Sequence, residues 1–272
     1  MPDHSAQPKP GEPYADPLAG IMLLDKPVGP TSMRLCSLVR AKLVGAGAPK
    51  RVKVGHGGTL DPLASGLMVI LVGPSTKLCD QIMVGEKEYL ATIALANTSP
   101  TDALESEPVP AEIDRPVVRA QIDSTLPGFT GRIMQAPPAH SAMKVDGKRA
   151  YELARAGKLD SLEKRPVEIH ELTIESYEWP ILELRVRCGK GTYIRSLARD
   201  LGRALNAGGM LAGLRRTRIG RFDVGNARTP DDLPSTLVQA DLDIIPEVRA
   251  ILDRRRRAQG LPPLDADSPD PR

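Results

Sequence analysis

Gly55-His56-Gly57-Gly58-Thr59-Leu60-Asp61-Pro62-Leu63-Ala64-Ser65-Gly66 runs straight into the apolar stretch Leu67-Met68-Val69-Ile70-Leu71-Val72. The glycines let the backbone turn tightly and approach a ligand, because they lack the Cβ that blocks such paths. Pro62 fixes its own φ and disfavours the α region for Asp61, so the carboxylate is carried on a stiff, non-helical backbone. Two uses fit a carboxylate held this way. It can act chemically at the edge of a strand, or it can be the N-cap of a helix whose first residue is Pro62. Two other glycine-loop chemistries fail. His56-Gly57-Gly58 is like an esterase oxyanion loop, yet no Gly-x-Ser-x-Gly elbow exists. Gly189-Lys190-Gly191-Thr192 is like part of a phosphate loop, but Leu184 stands where the first glycine belongs and Gly191 separates Lys190 from Thr192.

The chain has 272 residues, 41% hydrophobic and 26% charged, a soluble globular balance with ample core for one large or two small domains. Net charge is +3 and the pI about 8.8, which permits a polyanionic partner without requiring one. Basic residues concentrate at Lys144 to Lys158, Arg185 to Arg203 and Arg215 to Arg221. Cys36, Cys79 and Cys188 are odd in number and far apart, which points to a reducing, cytoplasmic setting rather than a disulfide framework. With four scattered histidines no metal site is legible, and no metal is expected. The apolar runs are strand-length, so no membrane association is expected. Residues 1–18 are polar and proline-rich and read as a disordered tail.

Along the chain, the patterns predict a strand over Gly20–Leu24 and a helix capped by Thr31 or Ser32 and running to about Val44. The Leu67–Val72 strand follows, then a helix from Ser75 or Thr76, a strand over Glu86–Leu95 and a loop over 96–111. A helix is expected near Pro116–Thr125. Residues 131–166, rich in Pro, Gly, Lys and Arg, read as an excursion rather than a sheet strand. Strands return at Val167–Trp179 and Ile181–Cys188; the second alternates, with Leu182, Leu184, Val186 and Cys188 on one face and Glu183, Arg185 and Arg187 on the other. Thr192 is placed to cap a helix to about Asn206 with Ile194, Leu197, Ala198 and Leu201 as its apolar stripe. A last strand spans Leu211–Val224. Beyond Thr229 the pattern weakens to a short helix over Ile244–Ile251, and Arg254 to Arg257 read as a solvated tail. The expected class is α+β, with a mixed, mainly antiparallel sheet flanked by helices.

Tyr89, in Lys87-Glu88-Tyr89, either packs a strand face or offers its ring to a nucleobase. Tyr193 and Arg195 begin a helix, where a cation beside the positive end of the helix dipole calls for a neighbouring anion. Asp61 is a candidate for that partner.

These segments together resemble the tRNA pseudouridine synthase B (TruB) family. The matching motifs are Leu24-Asp25-Lys26-Pro27, Gly55-His56-x-Gly58-Thr59-Leu60-Asp61-Pro62, Lys87-Glu88-Tyr89, Ser141-Ala142-x-Lys144-x-x-Gly147-x-x-Ala150-Tyr151, Lys190-Gly191-Thr192-Tyr193-Ile194-Arg195 and Leu214-Arg215-Arg216-Thr217. They occur in family order over residues 19–225. The resemblance implies the pseudouridine synthase fold and isomerisation of a uridine in the T-loop of tRNA, without cofactor or guide RNA. It makes Asp61 the catalytic carboxylate, acting at C6 of the base or C1′ of the ribose. Arg195 would keep it ionised, Tyr89 would lie against the base, and Tyr193 and Leu214 would complete the pocket. The uridine must be flipped out of its stack, and His56 would fill the space it leaves. The 131–166 excursion becomes an RNA-gripping loop, with Lys144, Lys148 and Arg149 on phosphates.

The implied organisation is a catalytic domain over 19–228 and a short extension over 229–272, partly disordered and too small for a full RNA-binding PUA domain. A monomer with tRNA, through its T-arm stem-loop, as its partner is expected. One departure concerns the loop Ala96-Asn97-Thr98-Ser99-Pro100-Thr101-Asp102, where Pro100 replaces an acidic position and Asp102 matches only with a shift. The alternative of a different class is an RNA-binding or RNA-folding protein whose catalysis is reduced or lost.

Overall fold

Leu67 to Val72, the run that follows the glycine loop, is buried on both faces and forms most of the strand β3, Ala64–Val72. This computed structural model describes residues 18–139, 144–145, 148–150, 152, 156 and 162–264. By its contacts the chain divides into two compact units, one formed by the residues up to Met83 with those from Phe222 on, the other by Val84–Arg221.

In the first unit β3 lies between two antiparallel neighbours. β1, Gly20–Lys26, pairs with it from Gly20↔Val72 to Lys26↔Gly66, and β2, Val54–His56, pairs His56 with Ile70. Helix α1, Ser32–Gly45, is capped by Thr31, whose side chain accepts from the Arg34 amide, and it buries Leu35, Cys36, Val39 and Leu43. That spacing of three and four is one face of a helix. A 3-10 turn, Gly73–Leu78, leads into α2, Cys79–Val84, where a single helix was expected. Pro74 suits the start of that turn but brings no amide to it.

Part of the weakly patterned segment 229–264 runs along β1. The amides of Ile21 and Asp243 each donate to the other's carbonyl, and the Gln239 side chain does the same with the main chain of Ala19. Leu233, Leu237 and Leu242 are buried there. These leucines follow neither a helical nor a strand period, so no periodic signal marks them. The closing helix is longer than expected, Pro246–Ala258, and holds the arginine run in its last turns instead of a tail. Arg255, Arg256 and Arg257 there oppose the negative end of the helix dipole.

In the second unit β4, Lys87–Ala94, pairs antiparallel with β11, Ile181–Cys188, on one side and with β12, Met210–Ile219, on the other. Beyond β11 lie β10, Arg165–Glu178, and then β7, Gly131–Gln135. β7 corrects the reading of 131–166 as an excursion throughout: its five residues form a sheet strand paired with Arg165–Ile169. It escaped notice because Arg132 and Met134 point outward, and Gly131 opens it at a φ of +86°. The loop over 96–111 contains a small hairpin, β5 Asn97–Thr98 with β6 Val109–Pro110. Helix α3, Arg119–Thr125, is shorter than expected. The Ile194–Ala204 helix packs on β12, and it buries Ile194, Leu197, Ala198 and Leu201 as expected. The ladders described here are antiparallel, while isolated parallel bridges join Leu24 to Arg228 and Ala103 to Leu211. The class is therefore the expected α+β with a mixed, mainly antiparallel sheet.

Candidate active site

Asp61 caps no helix. It opens a tight turn closed by the Ala64 amide on the Asp61 carbonyl at 3.1 Å, and the chain enters β3 directly. Of the two uses open to this carboxylate, the structural cap is excluded. Its peptide neighbours are fastened on both sides. Before it, the Ser32 hydroxyl accepts from the Leu60 amide at 2.8 Å and donates to the Leu60 carbonyl at 2.9 Å, in surroundings where Ser32 is only 3% exposed. After it, the Pro62 carbonyl accepts from the Gly29 amide at 2.8 Å and from the buried Lys26 ammonium at 3.4 Å. Asp61 itself is half-buried.

His56 ends β2 five residues upstream, also half-buried, with its carbonyl accepting from the Cys79 thiol at 3.4 Å. Gly57 between them is buried. A Cβ there would lie 2.4 Å from Cγ2 of Ile82, so a larger residue at this position demands movement of α2. In the first unit His56 thus ends the strand that leads into the loop carrying Asp61.

In the second unit the inward face of β4 carries Lys87, Tyr89, Ala91 and Ile93. Tyr89 pairs with Val186 of β11 and Arg216 of β12, while Leu214 is opposite Ala91, so Tyr89 and Leu214 share a face. Tyr89 is 9% exposed and Arg216 1%. The guanidinium donates to the Tyr89 side chain, and burial depresses its pKa from the usual arginine range. Burial, aided by repulsion from Arg216 and Lys190, likewise pushes the Lys87 ammonium down to about 8. Neither cation was foreseen as buried. The available signal was parity: Lys87 sits in register with Tyr89, Ala91 and Ile93, at positions that alternate inward.

Tyr193 and Arg195 sit at the start of the Ile194–Ala204 helix, but Thr192 is not its cap. Tyr193 is the N-cap, and the Thr192 hydroxyl donates back to the Gly189 carbonyl at 3.2 Å. The Tyr193 amide donates instead to Oε1 of Gln135 at 2.8 Å, a cap supplied from β7 that no local motif reveals. Arg195 is buried, and one nitrogen lies 3.7 Å from the Glu105 carboxylate. A carboxylate, that of Glu105, is thus present near this helix start within the second unit. The divergent loop is fastened here as well: Arg199 donates to Asp102 at 2.8 Å and to the Ala136 carbonyl at 3.0 Å. Burial raises the Asp102 pKa, against the pull of Arg199.

Several arginines of the basic segments serve the fold. On the outward face Arg185 pairs with Glu175 at 2.7 Å and Glu88 at 3.0 Å, while Arg187 pairs with Glu171 at 2.6 Å and Glu86 at 3.2 Å. Arg218 reaches Glu86 at 3.1 Å. Clustering in sequence is therefore not a basic surface, because β10, β4 and Glu86 just before it supply the acids. Lys144 and Lys148 lie on the paired two-residue strands β8, Lys144–Val145, and β9, Lys148–Arg149, with Lys144 in register with Arg149, but the side chains of all three lie outside the described residues. Among the described residues no helix is long and apolar enough to cross a membrane.

The fold is that of the pseudouridine synthases. It is similar to the crystal structure of a Cbf5–Nop10–Gar1 complex, at 28% identity and a TM-score of 0.60 over 85% of this chain, which spans 60% of that one. A structure of an H/ACA RNP bound to a substrate RNA containing 2′-deoxyuridine is similar at 27% identity and a TM-score of 0.57, over 79% of this chain and 52% of that one.

Within that class the chain belongs to the TruB family. Residues 47–194 match the N-terminal domain of the TruB family pseudouridylate synthases, and 195–253 the tRNA pseudouridylate synthase B C-terminal domain. It is 43% identical to a tRNA pseudouridine synthase B of Parabacteroides distasonis over 82% of this chain and 96% of that protein. With its counterpart in Rhodopseudomonas palustris it is 41% identical over 89% of this chain and 60% of the relative. The enzyme is accordingly a tRNA pseudouridine synthase, an isomerase.

Proposed function

We propose that this enzyme isomerises a uridine in the T-loop of tRNA and that Asp61 is its catalytic carboxylate. The observation that carries the reading is the Asp61 turn. In a TruB-family chain, this aspartate sits outside any helix, half-buried, with the peptide groups on either side of it pinned. A carboxylate oriented in advance loses little freedom when it reacts.

The reaction is balanced within the nucleotide. The N1–C1′ bond breaks, the base rotates, C5 bonds to C1′, and the proton leaving C5 is matched by one gained at N1. No oxidant or reductant is needed. Asp61 acts as the nucleophile at C6 or C1′, and Arg195 is the cation assigned to the site. Tyr89 supplies a ring against the flipped base, with Tyr193 and Leu214 beside it, and His56 occupies the space the base leaves. Lys144, Lys148 and Arg149 contact phosphates, so affinity falls with salt. The partner is the T-arm stem-loop, with no guide RNA, and the site of action is the cytoplasm.

The test is a T-arm stem-loop transcript incubated with the enzyme alone, pseudouridine being read at each uridine. Product at the T-loop uridine that vanishes with Asp61→Asn, while binding persists, is the expected result. Turnover by Asp61→Asn refutes the role of Asp61. Tight binding by the unaltered enzyme without product favours an RNA-binding role with lost catalysis.

A further inference from the structure

Ser32 is the first residue of α1, and the sequence left the cap of this helix open between Thr31 and Ser32. Here the cap is Thr31, which binds the Arg34 amide, so Ser32 is not needed for that purpose. Its hydroxyl is turned inward and is 3% exposed. It holds both polar groups of a single residue, accepting from the Leu60 amide at 2.8 Å and donating to the Leu60 carbonyl at 2.9 Å. One hydroxyl thus satisfies a donor and an acceptor that are themselves buried and lie immediately before Asp61. Two bonds from one oxygen to both ends of a residue fix the rotation of its flanking peptides, which a single bond does not.

We propose that Ser32 is a positioning residue for Asp61, setting the direction of its carboxylate through the Leu60 peptides. The proposal rests on the reading of Asp61 as the catalytic carboxylate. Ser32 touches no reacting atom; it acts by limiting where the Asp61 Cα can go. Pro62 and the bonds to its carbonyl restrain the far side of the turn, so loss of Ser32 leaves one side tethered and lets the aspartate swing about it. A displacement near 1 Å costs about a hundredfold in a reaction that depends on alignment.

The experiment uses the full chain with a T-arm transcript under single-turnover conditions. It compares the unaltered enzyme with Ser32→Ala, Ser32→Cys, Ser32→Thr and Asp61→Asn. Ser32→Ala is expected to lower the rate constant by about ten- to a hundredfold while RNA affinity stays within about twofold. A purely structural role instead lowers the fraction of active enzyme, seen as reduced product amplitude at an unchanged rate constant, and that result overturns the proposal. Ser32→Cys covers the case in which the alanine variant does not fold, since it keeps the bulk but hydrogen-bonds weakly; the same fall in rate constant is expected. Ser32→Thr restores the hydroxyl and should recover most of the rate. Ser32→Ala and Ser32→Cys both reacting within twofold of the unaltered enzyme, while Asp61→Asn is inactive, refutes the role of Ser32 alone. Turnover by Asp61→Asn refutes the underlying reading of Asp61, and the proposal with it.

Discussion

Replacing Lys87 by methionine removes one of the two cations buried on the Tyr89 face. Burial first, and then repulsion from Arg216 and Lys190, lowers the Lys87 pKa from 10.5 to about 8. Below pH 8 the lysine is charged in the folded and unfolded chain alike, and the folded state bears the whole cost of its burial. Between pH 8 and 10.5 the folded protein has released the proton and the unfolded chain has not. The unfolded state then binds more protons, so stability rises with pH across this window. At about 1.4 kcal/mol per pKa unit, the full window is worth about 3 kcal/mol, and the step from pH 7 to pH 9 about 1 kcal/mol. Burial also pushes the Cys36 and Cys188 thiols up to about 11, which acts in the opposite sense above pH 9. Both thiols remain in Lys87→Met, so the comparison with that variant largely removes them. Urea unfolding of the two proteins at pH 7 and pH 9 should show the unaltered enzyme gaining about 1 kcal/mol relative to the variant. An unaltered enzyme that gains nothing relative to the variant between pH 7 and pH 9, or that loses ground to it on the alkaline side, refutes the assignment of Lys87 as a buried ammonium carried at a cost.

Tyr89→Phe deletes the phenol oxygen that accepts from Arg216. A loss of about 1.5–3 kcal/mol in urea unfolding is expected, since a bond to a charged group is removed in a buried place. Arg199→Ala strips Asp102 of its guanidinium and should cost about 3 kcal/mol at neutral pH. That loss should shrink in unfolding measurements at acid pH, because the Asp102 carboxyl, already raised by burial, then takes up a proton. Gly202→Ala places a Cβ 2.0 Å from the Gly208 carbonyl oxygen, main chain that cannot step aside without moving β12. Thermal denaturation should register at least about 1–3 kcal/mol of destabilisation.

Much of the fold was legible because it is written in local periods. The alternation of β11 put Leu182, Leu184, Val186 and Cys188 on the buried face, and the spacing of Ile194, Leu197, Ala198 and Leu201 matched the buried stripe of their helix. The unbroken apolar run after Asp61 identified the central strand of the first unit. The family was legible too, from motifs in order along the chain.

Tertiary structure decided what depends on residues distant in sequence. Whether Asp61 begins a helix or a turn was open, because Asp-Pro serves either; the pairing of β3 with β1 from Gly66 onward settled it. Ser32 reaches Leu60 across 28 positions and Gln135 caps the Tyr193 helix across 58, distances at which no local pattern operates. The arginines of β11 counted only as part of a segment rich in basic residues until the sheet placed Glu86, Glu88, Glu171 and Glu175 beside them. A sequence records each residue's chemistry and its period along the chain. Which charge is neutralised, and which hydroxyl orients which peptide, is settled only when the strands and helices pack.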